Sequence, residues 1–156
     1  MHANVERVVA ALRTGGSNGE VRELEASTRT AAEAAAALGV PIGAIVKSLV
    51  FAADGEPVLV LASGDYQVDT TAVAQAFAAA HVGRADADLV RDATGFPIGG
   101  VPPVGHSRPL RTLVDRHLET FDVVWAAAGT PRAVFATSYD ELVRLTDGSP
   151  ADVAAR

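Results

Sequence analysis

Two apolar runs, Ile45 to Ala52 and Pro57 to Ala62, separated by Asp54-Gly55, constrain this chain more than any other feature. The first is rich in β-branched residues, and Asp-Gly is the dipeptide that lets two right-twisted strands fold back on one another, so the segment predicts a β-hairpin. A lone hairpin is only marginally stable, and the rest of the chain must cover it. Val5, Val8, Val9 and Leu12 recur at helical spacing and stop at Gly15 to Gly19, which predicts an N-terminal amphipathic helix.

A short strand is expected at Val21 to Leu24. Thr30 and Glu33 then have capping-box spacing ahead of an alanine-rich helix closed by Gly39 and Pro41. Thr70 to Ala80 and Asp86 to Ala93 read as helices, and Leu110 to Val114, Asp122 to Ala127 and Ala133 to Ala136 as strands. Ser138 and Glu141 cap a last helix running through Leu145. Strands joined by a turn pair antiparallel, while those separated by helices are free to pair parallel. The expectation is a single compact α/β domain over residues 1–156, with a mixed, strongly curved, barrel-like sheet and helices packed outside it.

Composition narrows the chemistry. At 156 residues there is interior for one substantial core. With no cysteine and four scattered histidines, disulfides and thiolate metal sites are excluded, and neither a metal nor a cofactor is expected. A net charge of -6 excludes coating nucleic acid by bulk electrostatics, so any nucleic-acid contact must be local and DNA is not an expected partner. No run reaches membrane-spanning length and no basic-then-apolar leader opens the chain, so a cytosolic location away from membranes is expected.

The basic residues are twelve arginines and one lysine, Lys47. In an arginine-biased chain, a surviving lysine is either chance or a position where a compact ammonium suits better than a planar guanidinium. Lys47 sits inside an apolar strand on the face of Ile45, Leu49 and Phe51, with Val46, Ser48 and Val50 on the other. There it must snorkel out, pair with an acid, or face a cavity.

Thr94 to Gly105 holds four glycines and three prolines, a stiff loop poor in bulky side chains around Gly99 and Gly100. It is either an ordinary tight connection or a loop that presents backbone groups to a substrate carbonyl. His106 beside it is either a general base or an idle loop histidine. Lys47-Ser48 lacks the glycine of a phosphate-binding loop, and Ser63-Gly64-Asp65 lacks a nucleophile-elbow pattern, so neither a P-loop nor a catalytic triad is indicated.

Several ordered segments together resemble the YbaK/ProX family of aminoacyl-tRNA editing domains. They are Ser27-Thr28-Arg29-Thr30, Val46 through Phe51, Ala62-Ser63-Gly64-Asp65, and Thr94-Gly95-Phe96 through Gly105, followed by Asp115 and Gly129. The resemblance runs from about Ser27 to Asp152. It implies a deacylase that removes a wrongly attached small amino acid from transfer RNA without metal, leaning on the substrate's own groups. It implies Lys47, Gly99 and Gly100 as the residues at the reacting ester, with Ser48, Phe51, Thr30, Asp65, Val101, Pro103 and Gly129 binding substrate. The implied partners are the aminoacyl-tRNA 3′ end and a synthetase. Pro102 stands where members acting on cysteinyl-tRNA carry serine, and Ala126 to Arg132 also departs from their pattern, so alanine, proline and serine esters stand open beside cysteine. A module that grips a tRNA end without catalysis is the alternative.

Overall fold

The expected hairpin forms the centre of the molecule. In the computed structural model, which describes residues 2–25 and 30–155, β2 (Val46–Ala53) and β3 (Glu56–Ser63) pair antiparallel around the Asp54-Gly55 turn, both turn residues having positive φ. β3 is buried on both faces from Val58 to Ser63, as a central strand covered on both sides must be. It pairs parallel with β5 (Arg111–Asp115), which pairs parallel with β8 (Ser149–Ala151), while β4 (Val82–Arg84) adds to β2 on the other side. The result is a mixed five-stranded sheet in the order β4-β2-β3-β5-β8.

A second sheet is the main difference from the single curved sheet expected. β1 (Val21–Glu23), β7 (Ala133–Thr137) and β6 (Val124–Ala127) form an antiparallel sheet of their own, in the order β1-β7-β6. The two meet through one parallel bridge between Ile45 and Trp125, so backbone pairing continues around the curve at that point alone among the described residues. β4 and β8 were not anticipated. Each is three residues long, one holding Gly83 and the other Pro150, and both lie at sheet edges, where such residues are tolerated.

The helices follow the sequence signals closely: α1 (Ala3–Thr14), α2 (Ala31–Leu38), α3 (Thr70–Phe77), α4 (Ala87–Thr94) and α5 (Tyr139–Thr146). Helices α2 and α5 are both capped at the expected residues. Thr30 Oγ1 and Ser138 Oγ accept the N–H groups of Glu33 and Glu141, and Gly39 closes α2 in the left-handed conformation. The motif residues Ser27, Thr28 and Arg29 lie outside the described residues.

The five-stranded sheet has a core on each face. Val46, Leu59, Leu61 and Val114 pack with α1, the inner faces of β6 and β7, and Phe96. Phe51, Val58, Val60, Ala62 and Leu113 pack with Val73 and Phe77 of α3 on the other side. No helix among the described residues is long and apolar enough to cross a membrane.

Candidate active site

β4 pairs only with Phe51 to Ala53, so the first half of β2 has no strand along its outer edge apart from the bridge at Ile45. That free edge opens into a cavity of about 760 Å³, within the usual range of small-molecule sites. Its walls are β2 from Ile45 to Phe51, the start of α2 (Thr30, Ala31, Ala34), the loop after β3 (Gly64, Gln67, Val68), the outer face of β6 and β7 (Trp125, Ala127, Val134), and Ile98, Gly99 and Val101 of the glycine–proline loop.

Lys47 and Ser48 both line it, although they lie on opposite faces of β2: Lys47 is in register with Ala62 of one core and Ser48 with Leu61 of the other. Of the three situations open to Lys47, the structure shows it facing the cavity. Its Nζ donates to the Tyr66 carbonyl at 2.6 Å, the one hydrogen bond it makes among the described residues, so two of the ammonium's three donors have no partner there. Burial pulls its pKa below the ordinary lysine value, and the negative charge of Asp115 opposes that shift.

Asp115 is the buried anchor of this end of the site. One carboxylate oxygen accepts the Ser63 N–H at 2.9 Å and the Tyr66 hydroxyl, and the other accepts the His117 N–H at 3.0 Å. Burial, with Asp115 adding to it, pushes the Tyr66 phenol well above its usual range, so this hydroxyl stays a donor. The carboxylate thereby fixes the loop whose Tyr66 carbonyl holds Lys47. In the sequence, Asp115 stood out only as a carboxylate ending the apolar strand Leu113-Val114 and as one of the positions of the family resemblance, with no role attached to it.

Ser48 Oγ is buried and has no hydrogen-bond partner among the described residues, an orphan polar atom in the cavity wall. Thr30, Phe51, Gly99 and Val101 also line the cavity, so six of the ten residues implied at sequence level converge there. The other four are not in its wall. Gly100 gives its N–H to the Pro97 carbonyl at 3.2 Å, and a Cβ on it would lie 3.3 Å from the Gly129 carbonyl oxygen. Gly129, at φ 104, packs on Asn4 of α1, where a Cβ would come within 2.8 Å of the backbone oxygen. Asp65 pairs with His117 Nε2 at 2.7 Å, and Pro103 is buried within the loop. Gly99 is the exposed glycine of the pair, at φ 92 with open space where a Cβ would stand.

His106 is neither exposed nor free. Its Nε2 lies 2.6 Å from the Pro102 carbonyl and its ring meets Phe96 edge-on, so it braces the loop from behind. Sequence reasoning missed Arg84, Gln67, Thr70 and Trp125, all in the cavity wall. Among the described residues the wall contains Lys47 and Arg84 and no Asp or Glu, in a chain with 19 acidic residues. Such a lining favours an anionic or electron-rich ligand.

The chain matches known proteins over this same framework. The profile of the aminoacyl-tRNA editing domain family covers residues 25–145. The chain is 34% identical over 121 residues to the proline–tRNA ligase of Geobacter sp. (strain M21), a match spanning 75% of this chain and 21% of the ligase. It is 32% identical over 124 residues to the uncharacterized protein YwhH of Bacillus subtilis (strain 168), spanning 79% of this chain and 78% of that one. The chain therefore spans about a fifth of the ligase and most of YwhH. A crystal structure described as a candidate trans-editing enzyme for prolyl tRNA synthetase superimposes with a TM-score of 0.94 at 43% identity, covering 100% of this chain and 99% of that one. From the matched span and these likenesses, the chain belongs to the aminoacyl-tRNA editing domain family.

Proposed function

We propose that this protein is a trans-editing deacylase that hydrolyses the ester between a small amino acid and the 3′ end of a mischarged transfer RNA in the cytosol, without metal. The observation that carries the reading is the chemistry of the cavity among the described residues: a half-buried ammonium with donors to spare, an unpartnered hydroxyl, and no carboxylate in the wall. Family membership supplies the reaction class, and the structural neighbour's description supports a tRNA of the prolyl system as the substrate.

An aminoacyl ester is already activated, so holding it in place and stabilising the developing oxyanion are sufficient tasks for a site without a nucleophile. Lys47 anchors the terminal adenosine through a ribose or phosphate oxygen. Gly99 and Val101 flank the ester from the loop, with Gly99 allowing close backbone approach. Ser48 meets a polar atom of the bound aminoacyl group, and Gly100, held by Pro97 and seated on Gly129, keeps the loop at its height above β2. Editing by a second site answers the poor discrimination a synthetase pocket achieves between small side chains.

The test is a deacylation panel of tRNAs mischarged with alanine, serine, cysteine and proline, each beside a correctly charged control. At least one mischarged species is expected to be cleared selectively, at a rate unchanged by chelator. Binding without turnover across the panel would overturn the enzymatic reading, and loss of activity in chelator with recovery on added zinc would overturn the metal-free one.

A further inference from the structure

The outer face of the three-stranded sheet carries a pairing that the proposed chemistry does not use. Strand neighbours in register share a face, so Arg22, Val134 and Ala127 form one row and Ala136 and Trp125 the next, all facing away from the core packed against Val21, Phe135 and Ala126. Arg22 reaches diagonally across β7 to place its guanidinium carbon 5.0 Å from the centroid of the Trp125 ring. Trp125 is half-buried, packed beside Ala34 and Ile45, and lines the cavity wall that holds Lys47. Arg22 is exposed and has no ion-pair partner among the described residues. A guanidinium held over an indole at a cavity rim offers its outer face to another flat π system.

Resting on the editing reading, we infer that Arg22, supported from below by Trp125, is the stacking platform for an unpaired nucleobase of the RNA strand whose 3′ end enters the cavity. The partner is single-stranded RNA and the contact is made to a base plane. A phosphate contact would need the guanidinium of Arg22 but not the tryptophan beneath it. The guanidinium acts here as a binding residue that sets the path of the strand, outside the reacting centre.

Trp125 is the single tryptophan of the chain, so its emission reports on the platform directly. Intact protein is titrated with deacylated tRNA while Trp125 fluorescence is followed, with filter binding in parallel and deacylation kinetics on the best substrate of the panel. Saturable quenching is expected. Arg22→Ala is expected to weaken binding about tenfold and raise KM by a similar factor at nearly constant kcat, since one base stack is worth about that much. Arg22→Lys should be as weak as alanine, because it keeps the charge and loses the plane. Trp125→Leu, followed by filter binding, should weaken affinity in the same way, with the melting temperature of each variant as its own folding control and that of Arg22→Ala expected unchanged. Wild-type affinity in Arg22→Lys would replace the base stack with a phosphate contact, and wild-type affinity and KM in Arg22→Ala would remove the platform altogether. If no tRNA is deacylated but quenching is seen and depends on Arg22, the editing reading fails and the platform stands; if editing proceeds and the Arg22 variants match wild type, the platform alone fails. No binding and no quenching with any tRNA would overturn both.

Discussion

Lys47 shows how little a single charge needs from its neighbours once the backbone places it. The Tyr66 carbonyl takes one donor, and buried Asp115 favours the ammonium from a distance without an ion pair to it, so two donors have no partner among the described residues. Loss of a charge-assisted contact in such a site costs on the order of 3 kcal/mol in the transition state, about two decades in rate. Lys47→Ala is therefore expected to slow single-turnover deacylation about a hundredfold while costing roughly 1 kcal/mol of stability, the usual worth of the one hydrogen bond lost to Tyr66. Lys47→Arg should be nearly as slow, because a planar fork cannot reproduce the compact donor at the Tyr66 carbonyl. Full activity in Lys47→Ala would make the lysine structural and misplace the site.

At the scale of elements, α1 is the brace behind both loops that approach the cavity. Arg7 donates to the carbonyls of Gly95 and Gly105 at 3.2 and 3.0 Å and lies over the Phe96 ring, while Asn4 Nδ2 donates to the Gly129 carbonyl at 3.3 Å. The glycine–proline loop is thus pinned at both ends to α1 and rests at its middle on Gly129. Gly100→Val tests that arrangement. The added Cβ meets Gly129 at 3.3 Å, tighter than an ordinary contact, and the branched methyls must lift the loop. Because displacement of about 1 Å at a reacting centre can cost a factor of about a hundred, a large fall in kcat is expected in a protein whose circular dichroism and cooperative melt are retained. Wild-type rates in that folded variant would show that the height of the loop is unimportant.

For the molecule as a whole, the loop brace makes stability depend on pH. Burial pushes His106 below the ordinary histidine value; its hydrogen bond to Pro102 pulls in the opposite direction, and Arg7 adds to the lowering. The unfolded chain binds this proton near pH 6.5, and the folded chain only at lower pH. Stability from this group is therefore fully present above about pH 6.5 and declines as pH falls through the lowered folded value. Urea midpoints measured from pH 7.5 to 5.5 are expected to fall, and His106→Gln, which keeps a donor for Pro102, should flatten the fall. Identical slopes in the two proteins would show that His106 does not carry the linkage.

How much of this was legible beforehand follows from the range over which each signal acts. Capping pairs such as Thr30 with Glu33, the Asp54-Gly55 turn and the Val5-Val8-Leu12 stripe act between near neighbours, and each predicted element formed where they placed it. The alternation of β2 likewise put Lys47 and Ser48 on opposite faces without any knowledge of the partners. What only tertiary structure decided depends on strands far apart in sequence. The separation into two sheets, the bridge from Ile45 to Trp125, the short edge strands β4 and β8, and the meeting of Arg22 with Trp125 are set by which distant segments bury each other. The glycines show the division most clearly: sequence marked Gly99 and Gly100 alike as the small-residue centre of a stiff loop, whereas packing turned Gly99 to open space beside the cavity and Gly100 onto Gly129, because a residue without a side chain carries no local signal of the direction it must face.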